Sequence, residues 1–76
     1  MDNNKEIRRN PYSGVEVGLN PVEIDIFDRL MLAYRKHLEV GNKGDYKESK
    51  VLYSEYIKGK NWFIENNIEA YMDLID

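Results

Sequence analysis

Few side chains in this 76-residue chain are suited to chemistry, and His37, its only histidine, stands first among them. An imidazole is the one side chain whose ordinary pKa lies near neutrality, but a catalytic triad also needs a nucleophile and an orienting acid. The serines Ser13, Ser49 and Ser54 stand in no recognisable nucleophile elbow. His37 therefore reads as an ordinary residue near a helix C-terminus. The chain has no cysteine, which removes thiolate nucleophiles, disulfides and cysteine-based zinc sites. Its acids follow no calcium-loop pattern. Gly41-Asn42-Lys43-Gly44 lacks both the Lys-Ser/Thr and the preceding strand of a phosphate-binding loop, so it reads as a turn between helices. No catalytic residue, cofactor or metal is expected, and the chain is not expected to be an enzyme.

Two surfaces and one strand edge remain as places where the chain could act. Six tyrosines, two phenylalanines and one tryptophan are more aromatic residues than so small a core can bury completely. Tyr46, Tyr53, Tyr56 and Trp62 are candidate partner-binding residues, because such rings give large contact area at little entropic cost. Equally, they could be half-buried rings whose polar ends reach water. Glu65, Glu69, Asp73 and Asp76 place four carboxylates without a lysine or arginine in the last twelve residues. That set could dock on a basic partner surface or be the solvated side of a short helix. Val15 and Val17 lie in an extended stretch whose edge could recruit a partner strand or a second copy. A formal charge of -3 gives no general attraction to phosphate backbones, so nucleic-acid binding is not expected.

Helices must position these surfaces. Asn20-Pro21-Val22-Glu23 combines an Asn N-cap, proline at the first helical position and Glu three residues after the cap. A helix over about 21–40 follows, with Ile24, Phe27, Leu30, Met31, Tyr34 and Leu38 on one face. The glycine loop after it is short, and Asp45 with Glu48 repeats the capping logic for a second helix over about 46–65, antiparallel to the first. Gly59 interrupts the second stripe and marks either a close helix contact or a kink. A last helix over about 68–75 should turn Ile68, Tyr71, Met72 and Ile75 inward. Before all of these, Asn10-Pro11-Tyr12-Ser13-Gly14 reads as a turn. Val15-Glu16-Val17-Gly18-Leu19 alternates like a half-buried strand, and with no second convincing strand it is expected to lie across the helices as an arm.

The expected fold class is all-α: a small three-helix domain, with residues 1–19 as a partly flexible N-terminal arm and 20–76 as the helical domain. No run approaches the roughly 20 apolar residues needed to span a bilayer, and the N-terminus lacks the apolar run of a signal peptide. A soluble chain in the cytoplasm is expected.

The two ends of the chain resemble a group of small tailed-phage proteins. The resemblance rests on Asn10-Pro11-Tyr12-Ser13-Gly14-Val15-Glu16-Val17-Gly18-Leu19, on Glu23-Ile24-Asp25-Ile26-Phe27-Asp28, and on the closing segment from Trp62-Phe63 through Glu69-Ala70-Tyr71-Met72 to Asp76. About half of the chain is covered, and residues 35–60 are longer and more basic than the pattern. The resemblance implies a phage origin and a size class but no activity. It makes the expected function that of a non-catalytic accessory protein in the host cytoplasm, binding a host factor or defence component to inhibit or modulate it. The alternatives are a self-associating assembly subunit of a phage and a binder of single-stranded nucleic acid.

Overall fold

The computed structural model describes residues 5–75. Strand β1 (Glu6–Arg9) pairs antiparallel with β2 (Glu16–Leu19), and helices α1 (Pro21–Asn42) and α2 (Tyr46–Asn66) follow as a long antiparallel hairpin. A short turn of helix, α3 (Ile68–Ala70), continues as a π-helical segment (Tyr71–Ile75) that packs back on α2 and β2. The domain is helical with a two-stranded N-terminal arm. Among the described residues, no helix is long and apolar enough to cross a membrane.

Local chemistry fixes where each helix begins and ends. The capping box at α1 is complete: Asn20 Oδ1 accepts from the Glu23 amide at 2.9 Å, and Glu23 Oε1 accepts from the Asn20 amide at 2.9 Å. α1 runs past Gly41 and is stopped by Gly44, whose φ of +89° lies in the left-handed region. There the Asp45 amide donates to Val40 O and the Gly44 amide to Gly41 O, the paired bonds of a Schellman motif. Asp45 then serves as the N-cap of α2, accepting from the Glu48 amide at 3.1 Å. One residue closes one helix and opens the next.

The extended segment has a partner that its sequence context does not announce. Arg8 lies opposite Val17 and Glu6 opposite Leu19, closed by a turn in which Gly14 has φ +79°. The Arg8 guanidinium forks onto the Asp28 carboxylate with two 2.9 Å bonds, tying β1 to α1. Asn10, almost fully buried, accepts from the Tyr12 and Ser13 amides through Oδ1 and donates from Nδ2 to Asp73 O at 3.0 Å. The turn of the arm is thereby tied to the C-terminal segment.

The core gathers Leu19, Phe27, Leu30, Phe63, Ala70 and Leu74 at one end of the hairpin. Phe27 meets Phe63 edge to face at 6.4 Å, and Phe63 is 0% exposed. Gly59 is a close contact: a Cβ there would stand 2.7 Å from Leu30 Cβ. The C-terminal segment buries Ala70 and Leu74, while Ile68 and Met72, expected inward, are exposed at 46% and 60%. Asn67 resets the phase, breaking the helix at φ -157° and capping the next turn through Oδ1. Its Nδ2 donates to Glu23 Oε2 at 2.8 Å, so one buried carboxylate links the starts of α1 and α3.

Candidate interaction surface

The hairpin is covered along only part of its length. On α1, Asp28 holds Arg8, and Met31 and Arg35 share with Arg9, Tyr12 and Tyr34 an open cleft of about 420 Å³. Leu38 lies seven residues beyond Met31, close to the same angular position on the helix but two turns further out. Among the described residues, neither the arm nor the C-terminal segment extends over it, and it is 45% exposed where a core position was expected. On α2, the Lys60 ammonium lies 5.8 Å from the Tyr71 ring centroid, beneath the C-terminal segment. Tyr53 and Tyr46 precede it by seven and fourteen residues and stand on the same side, again further out. The arm and the C-terminal segment thus form a second layer over the proximal half, and the same face of the distal half carries Leu38, Tyr46 and Tyr53 without one.

Burial follows this step in thickness. No residue of α2 before Phe63 is buried, and no residue of α1 after Ala33. The overall dimensions agree: a radius of gyration of 13.3 Å exceeds the roughly 11.4 Å of a compact chain of this length. The accessible surface of 5551 Å² exceeds the roughly 4,900 Å² of a compact 9.0 kDa protein.

Between the two helices at this level the rings form a continuous cluster. Tyr34 meets Tyr56 at 4.8 Å and His37 at 5.2 Å, while Tyr53 meets His37 at 5.0 Å and Tyr56 at 5.8 Å. Burial raises the Tyr56 phenol above its ordinary pKa, with the neighbouring tyrosines adding to the shift. His37 is fixed by Ser49: the Ser49 hydroxyl donates to His37 O at 2.9 Å, and its Oγ lies within hydrogen-bond distance of His37 Nδ1 at 3.1 Å. The contact closes the hairpin where Gly41 lets Ser49 approach, since a Cβ at Gly41 would lie 3.2 Å from Ser49 Oγ.

The other candidate residues are dispersed. Tyr46 is 75% exposed near the start of α2, and Tyr53 and Tyr56 belong to the ring cluster. Trp62 sits on Phe63 at 5.2 Å and lines a separate cleft beside Gly59. Glu65, Glu69 and Asp73 are exposed near the opposite end of α2 from Tyr46, and Asp76 lies outside the described residues. Val17 packs against the core, while Val15 is exposed beside the turn. Leu38, Tyr34, Arg35 and Tyr12 escaped the sequence reading as surface candidates. The seven-residue step from Met31 to Leu38 was a signal for one of them, but it looks the same for a buried stripe as for an uncovered one.

No protein-family model matches the chain, and neither a curated protein nor a solved structure is similar to it.

Proposed function

We propose that this chain is a non-catalytic protein that works by binding another protein through the distal face of its helix hairpin. The observation that carries the reading is the uncovered face itself: Leu38, Tyr46 and Tyr53 on the side where the proximal half has a second layer. A two-helix hairpin buries only one stripe of each helix, and exposed rings beside an apolar residue are the usual anchors of an interface. The resemblance of the chain's ends to small tailed-phage proteins extends the proposal to a phage accessory protein acting in the host cytoplasm. Its partner would be a host factor or defence component that it inhibits or modulates.

The test is capture from a host lysate on the immobilised chain. The double variant Tyr46→Ser, Tyr53→Ser should lose the captured protein with its far-UV circular dichroism unchanged. Ile7→Ser and Val22→Ser, at exposed apolar positions away from the face, should retain it. An identical captured set for all variants overturns the proposal. A second reading, a self-associating subunit of a phage assembly, is favoured by the charge distribution along the hairpin.

A further inference from the structure

The charges are sorted along the long axis of the molecule, which measures 46 Å against 22 and 18 Å across. Residues 35–54, the distal hairpin, hold five lysines and arginines against three acids, a net +2. The remainder of the chain holds six bases against eleven acids, a net -5. Next to Leu38, Tyr46 and Tyr53 stand the bases Arg35, Lys47 and Lys50 and the acid Glu39. At the other end the C-terminal segment exposes Ile68 and Met72 next to Glu69 and Asp73. Each end therefore presents apolar side chains flanked by charge, and the two signs are opposite.

We infer that the distal face is covered by a second copy of this chain, lying antiparallel across it about a two-fold axis. This rests on reading the distal face as an interface, and it names what covers it. The step in thickness makes the shapes fit: the one-layer end of each copy sits against the two-layer end of the other. Leu38, Tyr46 and Tyr53 meet Ile68 and Met72, and Lys47 and Lys50 face Glu69 and Asp73, twice over by symmetry. A parallel pairing sets like charges together and leaves the step unfilled, so electrostatics selects the antiparallel arrangement. A host protein using the same face would compete with the second copy.

Sedimentation velocity over a range of concentration and salt tests this with the full chain. The wild type should form a dimer that weakens as salt rises, since its charge pairs lie at the rim of the contact. Lys47→Glu with Lys50→Glu should weaken it by about tenfold or more, and so should Glu69→Lys with Asp73→Lys. An equimolar mixture of these two variants should dimerise again, because each then supplies the sign that the other lacks. A wild type that stays monomeric at millimolar concentration overturns the inference, as does a charge-reversed variant that dimerises like the wild type. If that monomer still loses capture of another protein through Tyr46→Ser and Tyr53→Ser, the interface reading stands without self-pairing. Indifference of both self-association and capture to those substitutions overturns both.

Discussion

Replacing Gly59 by alanine sets two effects of opposite sign against each other at one position. On an exposed helix the change stabilises by about 1 kcal/mol, because glycine is the costlier residue in a helix interior. Here the new methyl would stand 2.7 Å from Leu30 Cβ and 2.8 Å from Leu30 Cδ2, where ordinary contact begins at 3.4 Å. Rotation of the Leu30 side chain relieves the second contact but not the first, since Cβ is fixed to the backbone of α1. The helices must separate by about 0.7 Å beside a leucine that is 1% exposed. Overpacking of this kind costs about 1–3 kcal/mol, so the net expectation is a loss of about 1 kcal/mol. For a domain of this size that lowers Tm by about 4–8 °C. Urea denaturation followed by circular dichroism and Trp62 fluorescence measures it, with Gly41→Ala as the comparison. At Gly41 the obstacle is the Ser49 hydroxyl at 3.2 Å, which can yield by a few tenths of an ångström, so that variant should be neutral or stabilising. A Gly59→Ala protein about 1 kcal/mol more stable than wild type would refute the close contact, leaving helix propensity as the only effect.

Three further outcomes follow from the same structure. Glu23→Ala strands the Asn20 amide and the Asn67 side-chain amide together and should cost about 2–3 kcal/mol in the same urea measurement. The Arg8 hydrogen bonds hold the Asp28 carboxyl below its usual range, so this pair stabilises the fold above the ordinary carboxylate pKa and is lost as pH falls through the lowered value. Asp28→Asn should accordingly flatten the acid limb of a stability profile, seen by comparing urea midpoints between neutral and acid pH. Because burial raises the Tyr56 phenol, the unfolded chain loses its proton first, and stability should fall as pH climbs past about 10. Tyr56→Phe should remove that part of the alkaline loss.

What the sequence makes legible is the local chemistry. The Asn20 to Glu23 box and the Asp45 cap are short-range patterns whose hydrogen bonds form among neighbours, and the structure contains both. Gly59 was legible as a special position, but choosing contact over kink needed Leu30 of the facing helix. β1 was not legible, because Glu6-Ile7-Arg8-Arg9 has little apolar alternation and is held by pairing with β2 and by Asp28. Ile68 and Met72 failed as core residues because the last helix is too short for periodicity to fix its register: the turn capped by Asn67 brings Ala70 and Leu74 inward instead. The Glu23 to Asn67 link joins residues 44 apart, a separation at which periodicity carries no signal. Leu38 shows the same limit for the candidate surface: its spacing fits the α1 stripe, and only the extent of the second layer decides that it is exposed.

The distal face is tested most directly by residue-resolved amide NMR of the wild-type chain as its concentration is raised, with any captured partner titrated separately. Association through this face should shift or broaden the signals of Leu38, Tyr46, Lys50 and Tyr53 while Val22 and Ile7 stay in place. Changes confined to the strands, with the distal hairpin unmoved, would contradict the assignment of this face as the interface.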